Sequence, residues 1–448
     1  MSTQPTPQVA PLRLRRSLAF LFFLNCITFI FLSVPRSSSA QVILDVTPYA
    51  QANNSWCWAA CGQMVLDYYH KLGALKQCDL VDSMRHYAKS YCCPDGSGHP
   101  KDCNVSGNMR YDYFHLGYDF CTNKALCESD LNDILLMGSP IEFTWFWDDP
   151  FGGPSKANGA HSVVMYGFES IPHLSSPLYY VRDPWRIKQA LLHSGVSLLD
   201  PTAPAYVHIA SACYELYSYD QYANARPHQN HRMDRFAFST GDLAVSKKNP
   251  VCSSRHDDAG GNTGFRDLHS LSMAAQKILT ALESQPNPKF PKMKPKKSLH
   301  VIGTDPWKTY YLSESDFFHL DSTTSPGGML GSPALISFPI VEGEKVFGAV
   351  TFYRDTTNYW RFSRIDDQFF AGAVVHERKL LAQQHDGKEY SVIEIPCIEL
   401  DFLGDPTFGF TAGNPWRLTP LVPDAQFNLH AGVAQEANTI RITATSLF

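Results

Sequence analysis

Near Pro140 the spacing of apolar residues changes period, and the change restricts the chain to folds that join a helical part to a sheet part. Before it, Trp58, Cys61, Met64, Val65 and Tyr68 recur at steps of three and four between Ser55 and His70, the repeat of a helix with one apolar side. Asn54 or Ser55 is placed to cap that helix, and a second is expected from about Asp130 to Met137. After Pro140, aromatic and β-branched runs at Ile141 to Trp147, Ser162 to Phe168, Leu178 to Arg182 and Tyr206 to Ile209 read as strands. The fold class expected is α+β, with helices first and a sheet after them.

Further along, the sequence from about Tyr222 to Gly264 is polar and irregular, and its His228 and His231, with Asp234 nearby, read as a solvated loop in preference to a metal site. A helix is expected from Leu271 to about Glu283, with Leu271, Ala274, Ala275, Ile278 and Leu282 on one side. It runs into Pro286-Asn-Pro-Lys-Phe-Pro-Lys-Met-Lys-Pro-Lys-Lys297, whose prolines and mutually repelling lysines favour an exposed, extended linker. Strands are expected at Ala334 to Val341, Lys345 to Tyr353, Tyr359 to Ile365, Tyr390 to Leu403 and Thr439 to Thr445, and a helix near Phe369 to Gln383. With 448 residues, 44% of them hydrophobic, two or three cores are affordable. The division expected is a leader over 1–40, a first domain over 41–235, a connector over 236–298 and a separate α+β or mostly β domain over 299–448.

Arg13, Arg15 and Arg16, an apolar run from Leu18 to about Val34, and Ser38-Ser39-Ala40 before Gln41 follow the order of a secretory signal peptide. The apolar run, interrupted by Asn25 and Cys26, is slightly short for a membrane span, so membrane attachment is expected only if the leader stays uncleaved. The expected location is secreted or periplasmic. Of the 12 cysteines, removing Cys26 with the leader and setting one reactive thiol aside leaves ten, a number that can pair. Cys78, Cys92, Cys93, Cys103, Cys121 and Cys127 crowd one stretch, which reads as a disulfide-stapled loop region with no pairing assigned. A zinc site from Cys92, Cys93, His99 and Cys103 is the rival, disfavoured because neighbouring cysteines break the usual ligand spacing. A net charge of −5 offers no field to gather nucleic acid, and no nucleic-acid-binding signature is present.

Chemistry concentrates in three short segments: Gln51-Ala-Asn-Asn-Ser-Trp-Cys57-Trp58, Gly159-Ala-His161 and Val181-Arg-Asp183-Pro184. A thiol attacks acyl carbons as the thiolate, so it needs a proton acceptor, a group that orients the acceptor, and donors for the oxyanion. Cys57 falls in the first helical turn, where unpaired N–H groups favour an anion. His161 begins one strand and Asp183 ends the next, where a carboxylate can fix the imidazole tautomer. Trp58 is a possible cleft wall.

The six-residue step from Gln51 to Cys57 and the Cys57-Trp58 pair resemble the papain-like cysteine peptidases. The wider pattern, Trp-Cys-Trp-Ala-Ala, Gln77-Cys78, Cys92-Cys93, Cys103-Asn104, Gly-x-His161 and Asp183-Pro184, looks most like the secreted bacterial branch of AvrRpt2-type effectors and overlaps the C39-like peptidases. The resemblance covers about residues 45 to 220. It implies a two-lobed papain-like domain with Cys57 as nucleophile, His161 as general base and then acid, Asp183 as orienter and Gln51 as oxyanion donor, acting on protein or peptide substrates without metal or organic cofactor. The plant and lysosomal enzymes carry Asn where Asp183 stands, and a Gly-rich segment before the nucleophile that is absent here. A papain-fold transglutaminase or deamidase, and a non-enzymatic surface-binding protein with a degenerate module, are the alternatives. Nothing in the sequence sets the oligomeric state.

Overall fold

The computed structural model describes residues from Gln41 to Arg441 except 71–75, 94–100, 108–117, 148–159, 225–228, 239–266, 284–298, 321–328, 408–415 and shorter stretches. The expected leader, the Pro/Lys stretch, His99 and His228 lie outside the described residues.

The fold is mixed α+β around one large sheet. Its strands before the connector are β1 (Gln41–Ile43), β2 (Tyr118–Thr122), β3 (Ile141–Trp147), β4 (Ala160–Glu169), β5 (Leu178–Arg182), β6 (Glu215–Tyr217) and β7 (Gln229–Phe238). After it come β8 (His300–Val301), β9 (Trp307–Tyr311), β10 (Leu335–Glu342), β11 (Lys345–Arg354), β12 (Trp360–Asp366), β13 (Ser391–Ile395), β14 (Leu400–Gly404), β15 (Arg417–Pro420) and β16 (Gln435–Glu436). The order across the sheet is β16-β15-β14-β13-β9-β10-β11-β12-β6-β5-β4-β3-β7-β2, with β1 added to β4 and β8 to β10. The helices are α1 (Cys57–His70), α2 (Gln77–Arg85), α3 (Glu128–Leu136), α4 (Pro184–His193), α5 (Pro204–Ala212), α6 (Tyr219–Asn224), α7 (Leu268–Glu283) and α8 (Gln368–Gln384).

The α1 helix is more than amphipathic: residues 57–66 are buried on every side, with Ala59, Ala60, Cys61, Met64 and Val65 fully enclosed. A helix apolar all round belongs inside a core, and α1 packs against β4 and α2. On one side of the sheet Trp58, Met64 and Val65 share a core with Val164, Tyr166 and Tyr180. On the other, Leu131, Ile134 and Leu135 of α3 pack with Phe143, Val163, Met165 and Val181. Gly167 lets β1 lie across β4, since a Cβ there would stand 2.2 Å from the Val42 carbonyl oxygen.

The expected separation at the Pro/Lys stretch is not how the described residues pack. The described residues from Gln41 to Arg441 form one compact unit. β12 pairs with β6, Arg364 opposite Tyr217 and Ile365 opposite Leu216, so backbone hydrogen bonds run unbroken between the two parts. Leu271 and Ile278 of α7, with Phe338, Val350, Phe352 and Phe362, bury into the same core as Trp58. The physical reason is that β6, paired on one side with β5, leaves a row of strand donors and acceptors on its other side that must find partners, and β12 supplies them.

Three local expectations also change. Tyr206 to Ile209 is no strand but part of α5: a short apolar run fits either period, and Pro204 at the first helical position favours the helix, burying Tyr206 and Ile209 on one face. The polar stretch holding His231 and Asp234 forms β7, paired with β3 and β2, so ladder hydrogen bonds override its composition. Asp234 is fully buried and accepts from the Tyr222 hydroxyl at 2.7 Å and the Leu126 amide at 2.9 Å, which replaces the solvated-loop reading. Residues 439–441 are helical and the remainder of the expected last strand lies outside the described residues, while Tyr390 to Leu403 divides into antiparallel β13 and β14.

Candidate active site

Cys57 opens α1 after a tight turn in which the Trp56 amide donates to the Asn53 carbonyl at 3.2 Å. A strap formed by residues 103–105 fixes that turn from outside. The Ser55 amide donates to Asn104 Oδ1 at 3.0 Å, the Trp56 indole to the Cys103 carbonyl at 2.7 Å, and the Trp58 indole to the Val105 carbonyl at 3.2 Å. Disulfides Cys92–Cys103 and Cys78–Cys93 carry the strap back to α2, where the Cys92 amide also donates to Asp82 at 2.9 Å. The cysteines of the zinc alternative are thus bonded to other cysteines. Trp58 is only 2% exposed and packs flat enough on Gly107 that a Cβ there would meet its ring at 2.1 Å, so it is a core residue and not a cleft wall.

The thiol of Cys57 is not in a disulfide. Its Sγ lies 3.7 Å from the Ala160 carbonyl oxygen at the start of β4, and the thiol is near enough to the next side chain, His161, to help raise its pKa. His161 sits opposite Trp145 of β3, and the β4–β5 register, Val164 opposite Arg182, carries on to set Asp183 diagonal to it on one face. His161 Nε2 and Asp183 Oδ1 are 2.9 Å apart. With Nε2 committed to the carboxylate, Nδ1 is the nitrogen left to face sulfur.

Asp183 does two things at once. Its Oδ1 caps α4, accepting from the Trp185 amide at 2.9 Å and the Arg186 amide at 3.3 Å, while the same oxygen holds the imidazole. Burial by itself would lower the His161 pKa, but the Asp183 charge and hydrogen bond, with Cys57 adding to them, hold it well above the ordinary histidine value. Burial by itself would raise Asp183, and His161, Arg186 and the Trp185 amide outweigh it, leaving the carboxyl well below the usual range. The pair therefore favours imidazolium beside carboxylate. Cys213 is the contrast: burial, with Asp367 next, pushes that thiol well above the usual cysteine range.

Gln51 is completely buried. Its amide nitrogen Nε2 donates to the Asn54 carbonyl at 2.8 Å, which orients the carboxamide, and its backbone N–H donates to the Pro184 carbonyl at 3.2 Å. The second link fastens the Gln51 loop to the first turn of α4, beside Asp183. Cys57, His161 and Asp183 are also nearly enclosed, at 4%, 4% and 5% exposure. The structure thus brings all four sequence-selected residues into one neighbourhood.

Three supports were not singled out from the sequence. Asn104, which the sequence offers only as the neighbour of Cys103, is a clamp on the nucleophile turn. Trp185 meets the His161 ring edge-on at 6.2 Å between centroids. Arg186 lies over Trp185 and reaches the distant Asp401. Asp-Pro-Trp-Arg is visible as residue types, yet their partners come from other strands.

No curated protein matches the chain. Residues 43–193, about a third of its length, match the model of the Peptidase_C39 like family. The match contains Gln51, Cys57, His161 and Asp183, ends with the last residue of α4, and supports a papain-like fold for this segment. Over residues 43–193 the chain is similar to the C39-like cysteine peptidases.

Proposed function

We propose that the protein is an exported cysteine endopeptidase in which Cys57 is the nucleophile, His161 the general base and then acid, Asp183 the orienter and Gln51 an oxyanion donor. The observation that carries the reading is the Cys57–His161–Asp183 line inside the segment similar to C39-like peptidases. A proton passes from sulfur to imidazole, and the charged ring is steadied by Asp183. The thiolate adds to the scissile carbonyl carbon, and the Cys57 N–H and the Gln51 carboxamide receive the developing oxyanion. Collapse breaks the C–N bond as His161 gives its proton to the leaving amine, leaving a thioester. Water then attacks that thioester with His161 again as base, releasing the acid and restoring the thiol.

The cysteine pairs and the expected leader favour an oxidising compartment, outside the cytoplasm. Of the two branches considered, the C39-like one has the family match in its favour, while the AvrRpt2-type one rests on the Trp-Cys-Trp-Ala-Ala segment and cysteine pattern alone. The test is to incubate the purified protein with casein, with and without a thiol alkylator, alongside Cys57→Ser. Alkylator-sensitive peptide release absent from the variant supports the reading. Ammonia or cross-links in place of peptides would move the protein to the transferase or deamidase class, and products unaffected by Cys57→Ser would discard the site.

A further inference from the structure

We propose that the buried Arg186–Asp401 ion pair is a positioning device through which the C-terminal part of the chain holds Asp183 in place for the reaction. The inference rests on the roles proposed for His161 and Asp183.

Arg186 is in the first turn of α4, and its backbone N–H is one of the donors that Asp183 caps. Its guanidinium Nη1 stands 2.5 Å from Oδ2 of Asp401 in β14, the side chains being 2% and 0% exposed. Gln189, one turn further along α4, reaches Arg186 at 3.1 Å and the same Asp401 oxygen at 3.3 Å. The guanidinium is sandwiched, 4.7 Å from the Trp185 ring centre and 3.9 Å from that of Phe370 on α8. Trp185 in turn faces His161. The first turn of α4 is therefore pinned from the far side by an acid more than two hundred positions later.

As a stabiliser the pair is poor. Removing two charges from water costs several kcal/mol each, and only complete hydrogen bonding offsets this. Among the described residues Arg186 Nε and Nη2 and Asp401 Oδ1 have no hydrogen-bond partner. Apolar residues would serve packing equally well; a fixed guanidinium beside the cap of Asp183 serves geometry. The other charged groups acting on Arg186 are Glu215 of β6, Glu394 of β13, Arg364 of β12 and Asp367 ahead of α8, and those on Asp183 are His161, Arg186, Glu215 and Cys213. Asp401 acts on Arg186 more strongly than any of these other groups and is hydrogen-bonded to its guanidinium together with Gln189.

The experiment uses the full chain and compares Asp401→Asn, which keeps shape but not charge, with Asp401→Glu, which keeps the charge. Two readouts are taken on folded protein: the kcat and KM for casein peptides, and the rate of Cys57 carboxymethylation by iodoacetate against pH. Asp401→Asn is expected to lower kcat by ~10- to 100-fold with KM within about twofold, because a small displacement of the orienter is costly. It is also expected to narrow the pH window of fast carboxymethylation by about half a unit or more, with Asp401→Glu restoring much of both. Should Asp401→Asn fail to fold, Arg186→Met/Asp401→Leu supplies a folded chain without the charges, and the same narrowing is expected. A folded variant of either kind with an unchanged carboxymethylation window overturns the proposal. Carboxymethylation needs no substrate, so it decides this point even if wild-type protein releases no peptides, an outcome that would count against the peptidase reading alone.

Discussion

The two sides of the site are held by unlike means. The Cys57 turn is fastened chiefly by neutral hydrogen bonds and two disulfides drawn from residues 51 to 105, with added links to α4 from the Gln51 amide to the Pro184 carbonyl and from Lys188 to Asn54. His161 and Asp183 are set by strand register and buried charge, with contacts reaching to Asp401. The first side is local and sensitive to reduction, whereas the second is long-range and sensitive to charge. One site thus depends on two kinds of force that different perturbations can separate.

The largest separation is expected from Asp183→Asn. It keeps the shape but loses the charge, and kcat should fall by ~10⁴-fold, as for an orienting carboxylate elsewhere. Because Asp183 is the main influence raising His161, the alkaline limb of kcat/KM should move to lower pH, measured from pH 5 to 10. Stability should follow the same linkage. The raised His161 contributes below the ordinary histidine range and loses that contribution as pH rises through its folded value. The lowered Asp183 contributes above the ordinary carboxylate range and loses it as pH falls through its folded value. Denaturant midpoints across pH should therefore sag at both ends in the wild type and flatten in Asp183→Asn; a flat wild-type profile would contradict the coupling.

Gln51→Ala tests the other side, and kcat should drop by ~10²- to 10³-fold with little change in KM. If KM rises with kcat unchanged, the carboxamide binds substrate and not the oxyanion. Replacing Cys92 and Cys103 by serine should cost about 2–4 kcal/mol in urea titrations and slow Cys57 alkylation in the folded fraction, with the His161-dependent alkaline limb unmoved. A shifted limb would show that the strap reaches the base side after all. The smallest effect is expected from Trp56→Phe, which leaves the Cys103 carbonyl without its indole donor at a cost of about 1–3 kcal/mol by calorimetry.

The same division marks how far the sequence could be read. The α1 helix, β3 and β5 are legible because period is a local property, whereas Gln51, Cys57, His161 and Asp183 are picked out by short segments and a family resemblance, and their nearness belongs to the fold. Tyr206 to Ile209 misleads because four apolar residues satisfy either period until Pro204 is weighed. Asp234 looks solvated in a polar run because its partners, Tyr222 and Leu126, lie in elements that only the fold brings near. The reach of Arg186 to Asp401 has no sequence signature at all, since both are ordinary charged residues until β14 is aligned within the sheet. A Pro/Lys stretch reports its own backbone preference and nothing about whether the segments on either side share a core.

The junction of β6 with β12 bears on any attempt to isolate the peptidase-like segment. A protein cut off before β12 would present Leu216 and Tyr217 with half their ladder unpaired, beside a Glu215 deprived of Arg364. An exposed strand of that kind is a template for another copy of itself. Shortened versions should therefore precipitate or self-associate, and solubility in such preparations will depend on whether something else occupies that bare flank.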